Sequence, residues 1–114
     1  MGAGSTGLKV IQQLKRVITD RYGETDSLQH LRFLYIDTDP EAASAVNPDS
    51  DGNPGLSPRE VVLARLNRPA HYMQHSHLPS VDSWMPHGCL YKLSRSPAGA
   101  DGVRAFGRLA LFDN

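Results

Sequence analysis

Apolar positions recur at helical spacing over one long stretch. From Gly7 to Tyr22, Val10, Ile11, Leu14, Val17 and Ile18 fall on one face, while Lys9, Gln12, Gln13, Lys15, Arg16 and Asp20 take the other. Gly23 follows and suits a left-handed helix end. After a polar link, Leu31-Arg32-Phe33-Leu34-Tyr35-Ile36-Asp37 is apolar, rich in aromatic and branched side chains, and too short for a helix. It predicts a buried strand that ends on a carboxylate. Thr38 to Glu41 predicts a turn into a short helix reaching Val46, with Asp39 as cap and Pro40 in the first turn. Asn47 to Gly55 is a loop by composition.

Farther along, two signals conflict. Ser57-Pro58-Arg59-Glu60 has capping-box spacing, which starts a helix. Val61 to Leu66 has the composition of a strand, and strand is the slightly favoured reading. Asn67 to Gly88 predicts loop with short helical turns, and Cys89 to Leu93 another short strand. Pro97 to Gly102 is a glycine loop that opens a helix over Val103 to Phe112.

The chain begins with a second pattern, Gly2-Ala3-Gly4-Ser5-Thr6-Gly7, a G-x-G-x-x-G run leading straight into the first helix. Glycines let the backbone turn tightly and approach a ligand closely. The helix behind them directs its unpaired N–H groups and positive dipole end at the same place. Ser5 and Thr6 add hydroxyl donors. Glycine turn, helix, then strand is the middle of a βαβ unit, so the expected class is α/β with a partial Rossmann-like nucleotide-binding domain. Only Met1 precedes Gly2, so the first strand is expected to be missing, and the chain is read as a fragment cut at both ends.

Composition narrows the function. Twelve basic and twelve acidic residues cancel among 114, which argues against general binding to nucleic acid or to an anionic membrane. The one cysteine, Cys89, forms no internal disulfide, and no pair of zinc-type CxxC runs occurs; a cytoplasmic setting fits best. No apolar stretch approaches the roughly 20 residues that span a bilayer.

Candidate chemistry centres on carboxylates and glycines. Asp37, at a strand end, lies where open α/β sheets bind ligands. With Asp39 it makes a pair of oxygen donors suited to Mg²⁺ beside phosphates. The Asp49-to-Gly52 stretch lacks the closing glutamate of a calcium loop and reads as a solvated turn. His71 and His75 share a helix spacing and His77 lies close, but with no intervening glutamate and prolines on both sides a structural or surface role is the better reading. Cys89 reads as an ordinary buried thiol. Arg104 and Arg108 share one helix face behind the Gly99-to-Gly102 loop, a second place for an anion.

Three of these stretches together resemble the tubulin and FtsZ superfamily, most closely its large bacterial tubulin-like members. Gly2 to Gly7 is similar to the first glycine loop. Phe33 to Pro40, with its acid-x-acid-proline ending, is similar to the second strand and acidic loop. Gly99-Ala100-Asp101-Gly102, followed by Arg104 to Arg108, resembles the glycine loop that meets the terminal phosphate. The resemblance implies a GTP-binding domain of a cytoskeletal GTPase. Gly2, Ala3, Gly4, Ser5, Thr6 and Gly7 would hold the α and β phosphates. Asp37, Thr38 and Asp39 would lie near Mg²⁺, and Gly99, Ala100, Asp101, Gly102 and Arg104 near the γ-phosphate. It also implies head-to-tail self-association of the parent protein, and makes residues 47–93 an insertion in a single domain. The family's GGGTGSG-type loop is absent from the sequence, so the chain is not expected to hydrolyse GTP alone.

Two other readings share these residues. A nicotinamide-dependent oxidoreductase uses the same glycine run, but its acid follows by about 20 residues, whereas Asp37 lies 30 beyond Gly7. A non-enzymatic interaction module would use the glycine turn for structure only.

Overall fold

The computed structural model describes residues 1–24, 28, 30–44, 46–48, 52–74, 81–86, 88–94 and 99–114. Asp49 to Asp51 of the stretch expected as a solvated turn, His75, His77, His87 and the Pro97-Ala98 start of the expected late glycine loop lie outside them. Two compact units form: residues 1–37 with 41–63, and residues 38–40 with 64–114.

The first unit is α/β, as the order of patterns predicts. Strand β1 (Gly2–Ala3) passes into helix α1 (Gly4–Tyr22), which is followed by β2 (Tyr35–Asp37) and β3 (Val61–Leu63). The three strands form a parallel sheet in the order β1-β2-β3. Gly2 and Ala3 sit opposite Tyr35 and Ile36, and Tyr35, Ile36 and Asp37 sit opposite Val61, Val62 and Leu63. The strand place ahead of α1 is thus held by the first two residues of the glycine run, and the Gly2 N–H donates to the Leu34 carbonyl at 2.8 Å. Residues 47–93, expected as an insertion, supply β3. Both signals in that stretch are realised in succession. Ser57 and Glu60 close a capping box around a 3-10 turn at Pro58–Glu60, and β3 starts at the next residue.

The core of this unit is Ile11, Phe33, Tyr35 and Leu56, with Leu8, Ile18, Leu31, Val46 and Val61 packed against it. Helix α1 does not bury the whole apolar face read from its sequence. Val10, Leu14 and Val17 remain 60%, 48% and 45% exposed, while Gln12, assigned to the polar face, is 4% exposed and donates to the Asn47 carbonyl at 3.2 Å. The helix turns toward the unit on Leu8, Ile11, Lys15 and Ile18, which are three and four residues apart, and the apolar arc is wider than that face. Gly23 ends α1 at φ 83°, and its N–H donates to the Thr19 carbonyl at 2.9 Å.

Helix α2 spans Pro40–Ser44. The second unit contains the short helices α3 (Pro69–Gln74), α4 (Val81–Trp84) and α5 (Cys89–Lys92), then α6 (Arg104–Asp113). The strand expected at Cys89 to Leu93 is instead α5. Gly88, at φ 76°, turns the chain so that the Tyr91 and Leu93 N–H groups reach carbonyls three residues back. Leu66, Tyr72, Met85, Leu93, Phe106, Leu109 and Ala110 are buried here. No helix among the described residues is long and apolar enough to cross a membrane.

Gly107 sits inside α6 with no atom within 4 Å of a Cβ built upon it. Glycine in a helix interior costs about 1 kcal/mol relative to alanine. Gly107→Ala is therefore expected to stabilise the second unit by about 1 kcal/mol, read as a higher urea midpoint with an unchanged slope.

Candidate phosphate-binding loops

Each glycine of the opening run meets a separate demand. A Cβ on Gly2 would lie 2.6 Å from the Gly7 carbonyl oxygen, and one on Gly7 would lie 2.7 Å from the Gly2 carbonyl carbon. Strand end and first helical turn therefore touch backbone to backbone. Gly4 adopts φ 67°, where an L side chain is strained, and the place of its Cβ is open to 4 Å. Close packing at Gly2 and Gly7, with a bare left-handed residue between, leaves room for a ligand to approach the main chain.

The same helix start carries no side-chain cap. Ala3 caps α1 without a side-chain hydrogen bond, and no acidic residue occupies the first turn. Ser5 and Thr6 are exposed beside it. A helix N-terminus without a side-chain cap is suited to an anion. Asp37 belongs to the same unit, one residue past the Ala3–Ile36 pairing. The hydroxyl of Tyr35, a fully buried side chain, donates to the Asp37 carboxylate. Tyr35 was not singled out in the sequence. The usable signal was spacing, since residues two apart on a strand share a face.

In the second unit, the acidic turn and the late glycine bend meet. The Ala100 N–H donates to Thr38 Oγ1 at 2.8 Å, and a Cβ on Gly99 would lie 3.2 Å from Asp39 Cβ and 3.3 Å from Thr38 Oγ1. Asp101 and Gly102 then take φ 46° and 72°, successive left-handed residues that turn the chain into α6. Helix α6 also begins without a side-chain cap and with no acid in its first turn; Arg104, exposed, is its first residue. A cation there opposes the helix dipole, and a bound anion would offset the conflict. Arg108 has a different setting, 4.3 Å from the Trp84 ring centre and 5.4 Å from that of Phe112. It acts as a stacked guanidinium.

Among the described residues, neither His71 nor Cys89 forms a centre of its own. His71 Nε2 lies 3.1 Å from Asp113 Oδ1, an ordinary structural partner. Cys89 is half-buried. Among the described residues no group of three His, Cys, Asp or Glu side chains is placed to hold a metal ion. Asp37 and Asp39 have the oxygen chemistry that Mg²⁺ takes when phosphates supply the remaining ligands.

No curated protein and no solved structure matches the chain. A family model described as tubulin-like matches residues 1–114, the full length of the sequence. The chain, with its parallel sheet and glycine-led helices, belongs to the tubulin-like family.

Proposed function

We propose that this chain binds the phosphates of a guanine nucleotide, as one nucleotide-binding domain of a bacterial, cytoplasmic tubulin-like GTPase that associates head to tail. The observation that carries the reading is the division of labour among Gly2, Gly4 and Gly7 at an uncapped helix start. In the proposal, Gly2 to Gly7 hold the α and β phosphates through main-chain N–H groups, with Ser5 and Thr6 hydroxyls beside them. Gly99 to Gly102 and Arg104 take the terminal phosphate. Asp37 and Asp39, with Thr38 between them, hold Mg²⁺, which supplies charge neutralisation when bound. These residues bind and orient; the chain lacks the GGGTGSG-type loop, and hydrolysis by this chain alone is not part of the reading.

Titration of the 114-residue chain with fluorescent GTP and NADH analogues tests it. Binding of GTP is expected, and Gly4→Asn, whose side chain tolerates positive φ, weakens it about tenfold or more while leaving the far-ultraviolet circular dichroism unchanged. Binding of NADH alone would assign the loops to a dinucleotide. Binding of neither would leave them a structural role in an interaction module.

A further inference from the structure

Helix α6 carries a largely buried carboxylate. Asp113 lies three and four residues beyond Ala110 and Leu109, on the same helix face. Its side chain is 11% exposed and takes three donors: Asn67 Nδ2 at 2.5 Å, His71 Nε2 at 3.1 Å and the Tyr72 hydroxyl at 3.2 Å. Tyr72, itself 6% exposed, accepts the Asn67 N–H at 2.8 Å, so the cluster closes on itself. The neighbouring Asn114 side chain donates to the Arg65 carbonyl at 2.8 Å. Burial works against the Asp113 charge, yet the Asn67 amide and the His71 ring hold its carboxyl below the ordinary carboxylate range.

The buried face of α6, Phe106 with Leu109 and Ala110, is apolar. Apolar contact is non-directional, so it leaves rotation and sliding of the helix weakly defined. Directional bonds at one end define both. Helix α6 has ten residues and is about 15 Å long. Its other end is the glycine bend that meets Thr38 and Asp39.

We propose that Asp113 is a positioning residue: clamped by Asn67, His71 and Tyr72, it sets the register of α6 and so holds the Gly99-to-Gly102 bend against Thr38 in the form that reads a terminal phosphate. The last clause rests on the nucleotide reading above; the mechanical link does not.

Amide exchange and nucleotide preference in the full 114-residue chain separate the two. Asp113→Asn is expected to speed exchange of the Ala100 amide about tenfold, and more than that of Leu109 in mid-helix. The preference for GTP over GDP falls by a similar factor. Tyr72→Phe, which deletes one donor, gives the same pattern in smaller measure and serves where Asp113→Asn does not fold. The exchanged pair Asn67→Asp with Asp113→Asn restores the amide–carboxylate bond and is expected to recover both readouts. Unchanged Ala100 exchange in folded variants, or equal acceleration at Ala100 and Leu109, overturns the proposal whatever the nucleotide does. Faster Ala100 exchange with no nucleotide preference in any protein upholds the mechanical link and overturns the phosphate reading instead.

Discussion

Gly2→Ala is expected to destabilise the first unit by about 2–3 kcal/mol, the upper range for overpacking, and to abolish nucleotide binding with it. The added carbon would lie 2.6 Å from the Gly7 carbonyl oxygen and 2.7 Å from Ile11 Cδ1. A side chain can move aside, but the carbonyl belongs to the first turn of α1, so strand and helix must separate. That separation breaks the Gly2 N–H bond to Leu34 and strips cover from Ile11, which is 4% exposed. Gly7→Ala meets the same backbone from the other side, at 2.7 Å, and is expected to behave alike. Gly4→Ala is the contrast: its Cβ enters open space, and the cost is the strain of a left-handed residue, about 1 kcal/mol. Urea unfolding followed by circular dichroism measures all three. A Gly2→Ala protein as stable as the parent would show that the close approach of β1 and α1 is not held in solution.

Lys15→Met is expected to cost about 2 kcal/mol or more, somewhat below the 3–5 kcal/mol for breaking a fully buried ion pair. Lys15 Nζ lies 2.8 Å and 3.1 Å from the two Glu60 oxygens and 3.4 Å from the Gly55 carbonyl, with 12% and 16% of the two side chains exposed. It also stands 5.8 Å from the centre of the Phe33 ring. Glu60 is used twice, because it accepts the Ser57 N–H at 2.7 Å in the capping box ahead of β3. Removing Lys15 leaves a carboxylate desolvated and unpaired at the start of a sheet strand. Lys15→Met with Glu60→Met is therefore expected to be more stable than Lys15→Met alone, a sign that separates the pair from simple packing.

The pH dependence has a definite sign. Burial raises the Glu60 pKa, but the Lys15 ammonium and the Ser57 backbone outweigh it, and the net direction is downward. A carboxylate with a lowered pKa in the folded state contributes stability that is present above its ordinary value of 4.5 and lost as the pH falls through the folded value. Asp113 works in the same direction in the second unit. Tyr72 works at the other extreme: burial, ahead of the nearby Asp113 charge, pushes its pKa up to about 12. Its contribution is present below the ordinary value of 10 and lost as the pH rises through about 12. Denaturation midpoints across the pH range are expected to fall below about pH 4 and again above about pH 10.

Much was decided locally, and local decisions can be read from residue order. The repeat of apolar residues along α1, the stop at Gly23, the carboxylate closing the strand at Asp37 and the capping box at Ser57 all depend on neighbours a few positions away. So does the need for glycine at three places around the helix start, although the sequence presents the three as equivalent. Only the tertiary arrangement made Gly2 and Gly7 a mutual contact and Gly4 an open left-handed turn. It also chose which arc of α1 faces inward, covering Gln12 and Lys15 and leaving Val10, Leu14 and Val17 in solvent. The reason is that a periodic pattern states how wide an apolar stripe is, while the area of neighbouring sheet decides how much of it is covered.

Strand pairing and polar clusters have the same origin. β3 exists because Val61 to Leu63 lie beside Tyr35 to Asp37, a match between segments distant in the chain that no local propensity encodes. Cys89 to Leu93, with comparable strand composition, pairs with no strand among the described residues and closes into a helical turn. Asp113 was invisible as a site because its donors come from Asn67, His71 and Tyr72, more than forty residues away. The amino-acid order alone determined the α/β class, the family and the residue types at the glycine turn; the tertiary structure alone decided which distant groups those residues would face, since hydrogen bonds and strand ladders are satisfied by proximity in space and not along the chain.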